Sequence, residues 1–160
     1  MSLVTSIGSD HAGFEMKNKV IEVLKNVFKI EVQDRGCYTN EASDYPDYAA
    51  MVAEDVSRGN ADYGILICGS GIGVSIVANR FHGIRACNPI TLDQVVLARE
   101  HNNINVICFG SRISSYEEIV EMLKAFFFIG FLGGKHNERL KKIKNLEDRL
   151  ELINSKEKIY

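Results

Sequence analysis

Tryptophan is absent, proline occurs twice, and none of the four cysteines belongs to a C-x-x-C pair. So little proline, with no low-complexity tract, excludes a collagen-like or disordered chain. Cys37, Cys68, Cys87 and Cys108 are too few and too far apart for a disulfide-built secreted domain, and are expected as reduced thiols of a cytosolic protein. An excess of one charge is also lacking. Lys and Arg total 19 against 21 Asp and Glu, a net charge of -2, which is not the basic footprint of a nucleic-acid binder. No apolar run is long: residues 125–132 are interrupted by Gly130 and fall far short of the roughly 20 residues that span a bilayer, so no membrane contact is expected. The opening MSLVTSIGSDHAG has neither the charged start nor the apolar stretch of a signal peptide, and a cytoplasmic location is the expectation.

What remains is the composition of a soluble α/β domain: 160 residues, 46% hydrophobic and 25% charged. A chain of this size forms one domain and buries roughly 70% of its unfolded surface. Short β-rich runs alternate with helical patterns, which predicts a parallel sheet covered by helices on both faces. The expected strands are residues 3–9, 29–33, 63–68, 83–87 and 105–109. Met16, Val20, Val23, Leu24 and Val27 recur at helical spacing. Pro46 suits a first helical turn before residues 47–57. Further helices are expected over 72–81 and 91–102, and from Tyr116, where Ser115 and Glu118 form a capping box.

After the break at Gly133-Gly134, Leu140, Ile143, Leu146, Leu150 and Ile153 are spaced by three or four and form a narrow apolar stripe. The domain is therefore read as residues 1–134 with a C-terminal helix over 135–160. That helix packs either on its own domain or on a second copy of the chain.

In an open parallel sheet, ligands gather beyond the carboxyl ends of the strands. The loop Cys68-Gly69-Ser70-Gly71-Ile72-Gly73 follows an apolar strand and opens a helix. Its glycines permit close backbone approach, and its N–H groups favour an oxyanion or phosphate. Val74 breaks the dinucleotide pattern G-x-G-x-x-G, and the lysine of a phosphate-binding P-loop is missing. Cys68 is either a small core residue or a base or nucleophile whose thiolate the helix-start field favours. Asp10 is either a helix cap or a partner of the neighbouring His11 in proton transfer or anion binding. Tyr45 either punctuates a helix entry or lines a polar pocket. His101, Asn102 and Arg112 read as helix ends and solvated charge, or as site residues. Lys135 and Arg139, one helical turn apart beside His136, make a phosphate clamp feasible. Histidines 11, 82, 101 and 136 lack a metal-ligand spacing, so no metal is implied.

Taken in order, Gly8-Ser9-Asp10-His11-Ala12-Gly13, Ser43-Asp44-Tyr45-Pro46, Cys68-Gly69-Ser70-Gly71-Ile72-Gly73, Ala98-Arg99-Glu100-His101-Asn102 and Gly110-Ser111-Arg112 resemble the type B ribose-5-phosphate isomerases. Allose-6-phosphate and galactose-6-phosphate isomerases are relatives of that family. The resemblance implies a Rossmann-like three-layer α/β/α domain, with the C-terminal helix at a subunit interface. It also implies homodimers or homotetramers with active sites built from two subunits, and neither metal nor organic cofactor. By this resemblance Asp10 and His101 open the sugar ring and Cys68 removes the C2 proton. Ser70 and the amides from Gly69 to Gly73, Gly71 among them, hold the enediolate. His11, Arg112, Lys135 and Arg139 face the phosphate, and Tyr45 and Asn102 the sugar hydroxyls. Cys68 together with Val74 places the chain in the branch with a cysteine base. Ser70 stands where threonine is common, Lys135 where arginine is frequent, and Asn103 where aspartate is common.

The chemistry requires such groups. An acid and a base must move protons between the ring oxygen and the C1 hydroxyl, and a second base must then take the C2 proton. The resulting enediolate needs prearranged donors. The implied activity is interconversion of ribose 5-phosphate and ribulose 5-phosphate in the non-oxidative pentose phosphate pathway. The alternatives are isomerisation of a six-carbon sugar phosphate, a phosphate- or flavin-binding module without catalysis, and a purely interacting subunit.

Overall fold

The computed structural model describes residues 3–157. Strands β1 (Val4–Ser9), β2 (Glu31–Asp34), β3 (Tyr63–Cys68), β4 (Ala86–Cys87) and β5 (Val106–Gly110) pair in parallel in the order β2-β1-β3-β5-β4. Each connection runs through a helix, as parallel neighbours require. These are α1 (Phe14–Val23), α2 (Tyr45–Ser57), α3 (Ile72–Ala78) and α4 (Leu92–Asn102); α5 (Tyr116–Phe128) and α6 (Lys135–Glu157) follow the last strand. The result is the expected Rossmann-like α/β/α sandwich.

Strand alternation divides the core in two. Ile65, Ile67, Ile107 and Phe109 point toward α1, α4 and α5, while Leu66, Cys68, Val106 and Cys108 point toward α2 and α3. Burial on both faces explains the nearly unbroken apolar sequences of β3 and β5. Two ion pairs, each with one buried partner, fix the β2 edge. Lys17, 1% exposed, holds both oxygens of Asp34 at 2.7 Å, and Asp55 on α2 takes Arg35 at 2.6 and 2.8 Å and the Ser6 hydroxyl at 2.7 Å.

The expected elements all form, with shifted ends. The first helix closes in a single wider turn over Leu24–Phe28, and Lys29 adopts a left-handed conformation (φ 58°), so β2 begins at Glu31 rather than at 29. The strand expected over 83–87 is only two residues long. Gly83 is left-handed (φ 73°), and the Arg85 N–H donates to the Asn105 side chain at 2.8 Å instead of to a strand. The helix expected over 72–81 ends at Ala78. The capping box is present, and hydrogen bonds from the Ser115 backbone and hydroxyl to the Glu118 carboxylate hold its pKa below the usual range. Of the helix expected over 135–160, residues 135–157 are helical, and 158–160 lie outside the described residues. Among the described residues no helix is long and apolar enough to cross a membrane.

Candidate active site

Three strand ends converge at the carboxyl edge of the sheet. After β1, the buried Asp10 carboxylate accepts from the Gly13 N–H at 3.0 Å and so caps the turn His11–Gly13. Capping is therefore real, and it uses one carboxylate oxygen, Oδ1. A side chain at Gly13 would collide with the Ile67 carbonyl, so the β1 loop lies directly on β3. Exposed His11 is held by Ser43: its N–H donates to the Ser43 hydroxyl at 3.1 Å, and its Nδ1 lies 3.2 Å from both the N and the O of the Ser43 backbone.

Cys68 ends β3, 4% exposed, and its Sγ accepts from the Gly71 N–H at 3.1 Å. That contact requires the backbone to double back within three residues, which Gly71 does at φ +77°. Ser70 is exposed, and its hydroxyl accepts from the Ile72 N–H at 3.3 Å. Two of the amides expected to hold an enediolate, those of Gly71 and Ile72, are thus turned inward in this structure onto Cys68 and Ser70. The β5 loop completes the floor. The N–H groups of Ser111 and Arg112 donate to the carbonyls of Cys68 and Gly69 at 2.8 and 3.1 Å, and the Ser111 hydroxyl donates to the Ala12 carbonyl at 2.8 Å. The Arg112 guanidinium lies over Gly69, 3.0 Å from where a Cβ would stand, and the Tyr45 ring lies over Gly73, 2.6 Å from such an atom. Glycine at both positions leaves room for these side chains to lie directly on the loop.

The other expected residues are elsewhere. His101 and Asn102 end α4, just before β5 begins, whereas Cys68 pairs with Gly110 at the far end of β5. Five strand residues put about 15 Å between those edges. Around His101, the first turn of α6 brings exposed Lys135 and Arg139 and buried His136, whose ring stacks on His101 at 4.3 Å and 6°. Burial, then the neighbouring His101, Arg139 and Lys135 charges, hold the His136 pKa below the ordinary imidazole value. Asn103 adopts the left-handed conformation that ends α4 (φ 46°), and its side chain accepts from buried Arg99 at 3.1 Å. The loop keeps its support although asparagine stands there. One chain thus holds two clusters: Asp10, His11, Tyr45, Cys68, Ser70 and Arg112 at one edge, and His101, Asn102, Lys135 and Arg139 at the other.

The ribose/galactose isomerase family matches residues 5–143, nearly the whole domain. The chain belongs to the ribose/galactose isomerase family. It is 40% identical to ribose-5-phosphate isomerase B of Escherichia coli over 144 residues, covering 90% of this chain and 96% of that protein. It is also 40% identical to the putative sugar phosphate isomerase YwlF of Bacillus subtilis, covering 90% and 97%. Among solved structures, ribose-5-phosphate isomerase B of Clostridium thermocellum superposes with a TM-score of 0.90 at 37% identity, covering 92% and 99%. The Mycoplasma genitalium ribose-5-phosphate isomerase B, solved with bound ribulose-5-phosphate, superposes at 0.87 with 38% identity, covering 92% and 98%.

Within this member of the isomerase family, the remaining cysteines behave as core. Burial pushes the Cys87 thiol pKa up, and that of Cys108 far up. Among the described residues no group of three or more His, Cys, Asp or Glu side chains is arranged to hold a metal. Ser43 and Ser111 stand inside motifs of the resemblance without a role of their own, and Asn88 stands in none of them, yet all three touch the loops of the site. Their contacts span 32, 99 and 18 residues, so no local pattern shows what they hold. A position just past a strand's carboxyl end, which Asn88 occupies after β4, was the one available signal.

Proposed function

We propose that this chain is an aldose–ketose isomerase that interconverts ribose 5-phosphate and ribulose 5-phosphate. The observation that carries this reading is a relative of 38% identity, matched over nearly its full length, that was solved with bound ribulose-5-phosphate. The geometry supports the division of roles. Asp10 and His101 shuttle protons between the ring oxygen and the C1 hydroxyl until the sugar is linear. The Cys68 thiolate then removes the proton from C2, the C–H electron pair becomes the C1–C2 double bond, and the carbonyl oxygen becomes the enediolate oxygen. Return of the proton to C1, with a proton passing from the C2 hydroxyl to the C1 oxygen so that C2 becomes the carbonyl carbon, yields the ketose. Ser70, with the amides of the Gly69–Gly73 loop that do not face inward, receives the enediolate. Tyr45 and Asn102 take the sugar hydroxyls, while His11, Arg112, Lys135 and Arg139 anchor the phosphate, whose binding energy positions the reacting carbons.

Because Cys68 and His101 lie at opposite edges of the sheet, the same proposal makes the enzyme a homodimer, or a larger assembly of such pairs, with each site drawing one cluster from each chain. The half-exposed stripe of Ile143, Leu146, Leu150 and Ile153 on α6 supports a subunit contact there. The working compartment is the reducing cytoplasm, where four free thiols persist.

The test is a sugar-phosphate panel comparing kcat/KM for ribose, allose and galactose phosphates, repeated with Cys68→Ala. Ribose 5-phosphate is expected to be preferred, and Cys68→Ala to lose C2 proton exchange by roughly 10²- to 10⁴-fold while still binding the phosphate. Preference for a six-carbon phosphate would move the substrate, and near-normal turnover by Cys68→Ala would remove the base.

A further inference from the structure

Asn88 lies just past β4 and is used by none of the steps above. Its side-chain Nδ2 donates to the Ser70 carbonyl at 3.3 Å, and its Oδ1 packs against Gly71 so closely that a side chain there would collide with it. From the other side, the Ser70 carbonyl group rests on Gly110, 2.7 Å from where a Cβ would stand. One peptide plane, Ser70–Gly71, is therefore gripped on two sides. The N–H of that same plane is the one that donates to the Cys68 sulfur at 3.1 Å. Carbonyl and N–H of a trans peptide point in opposite directions on a rigid plane, so holding the oxygen aims the hydrogen.

We propose that Asn88 is a positioning residue for Cys68, acting through the Ser70–Gly71 peptide. Asn88 holds the carbonyl, the plane transmits the orientation, and the Gly71 N–H stabilises negative charge on the sulfur. A hydrogen bond to an ionised acceptor is stronger and more sensitive to alignment than one to a neutral acceptor, so a small rotation of the plane costs the thiolate more than the thiol. An amide suits this place because it donates without adding charge. The other ionisable groups around Cys68 are Arg112 and Cys108 from β5 and its loop, Tyr45 from α2 and Asp10 after β1. Among the described residues none of them hydrogen-bonds to Asn88.

This inference rests on Cys68 being the base of the proposed reaction, but its test does not. In Asn88→Leu, which keeps the branched shape and removes the donor, and in Asn88→Ser, which is smaller and can still donate, iodoacetamide alkylation of Cys68 is followed against pH, with the modified peptide identified by mass. Asn88→Leu is expected to move the alkylation midpoint upward and to lower kcat about tenfold at unchanged KM, with Asn88→Ser between it and the parent. Thermal unfolding confirms that each variant is folded, and should Asn88→Leu fail to fold, the intermediate Asn88→Ser profile carries the test. Alkylation profiles that superimpose on the parent in the folded variants would overturn the proposal, whatever happens to activity. If Cys68→Ala proves active while the Asn88 profiles shift, the positioning stands and the assignment of the base falls.

Discussion

At the scale of single residues, the site was legible where chemistry and local context coincide. Cys68 stands out because a thiol sits between a buried strand and a glycine loop, and the structure adds the Gly71 contact that the sequence could not supply. Asp10 had two readings, and the cap it forms leaves room for both, since only Oδ1 is engaged by Gly13. Ser43 and Asn88 were given no role because their meaning lies in partners distant along the chain, whereas His136 was read beside Lys135 and Arg139 in a phosphate clamp and the structure adds its stacking on His101. His136 offers a sharp check. Its burial and its cationic neighbours lower its pKa in the folded chain, whereas the unfolded chain regains the ordinary value near 6.5. The unfolded state therefore binds more protons just below that value, so the associated stability is present above it and declines as the pH falls toward the lower folded value. An NMR titration of the His136 ring should give a midpoint below 6.5, and His136→Gln should flatten the fall in Tm on acidification. A midpoint at or above the ordinary value would contradict the stacked, buried arrangement.

At the scale of elements, periodicity gave five strands and six helices their places, and the misses lie at their ends. Lys29 and Gly83 in left-handed conformations stop elements that hydrophobicity alone would continue. The ion pair that clamps α2 to the sheet was invisible, because Ser6, Arg35 and Asp55 meet only through the β1-β2 pairing and the helix that follows. Burial alone would raise the Asp55 carboxyl pKa, but hydrogen bonds from Arg35 and Ser6 and the Arg35 charge outweigh it and hold it below the usual value of 3.8. The contribution of this pair is fully present above that value and is lost as the pH falls through the lower folded one. Asp55→Ala leaves the buried Ser6 hydroxyl without a partner and should cost about 2 kcal/mol of unfolding free energy. A denaturant midpoint equal to the parent's, at unchanged slope, would show that the clamp is dispensable.

At the scale of the whole molecule, the sequence left open whether α6 docks on its own domain or on another. It touches its own body lightly. The His82 ring meets Glu151 at 3.0 Å, the Gly83 N–H donates to Glu147 at 3.3 Å, and Leu140 is half-buried. Ile143, Leu146, Leu150 and Ile153 stay 41 to 55% exposed, an apolar stripe that the proposed subunit contact would cover. The two residue clusters at opposite edges of the sheet lead to the same assembly from an independent direction. A single chain cannot bring His101 to Cys68, whereas the proposed two-fold pair, with the carboxyl edge of one sheet set against α4 and α6 of the other, would make two complete sites.

Subunit mixing tests that arrangement most directly. Cys68→Ala and His101→Asn chains, each inactive alone, are combined under conditions in which labelled chains are shown to exchange. In a hybrid pair one site inherits both lesions and the other inherits none, so ribose 5-phosphate isomerisation should return to about a quarter of the parent rate at full random exchange. Confirmed exchange with no recovered activity would place Cys68 and His101 in the same subunit's site and contradict the account.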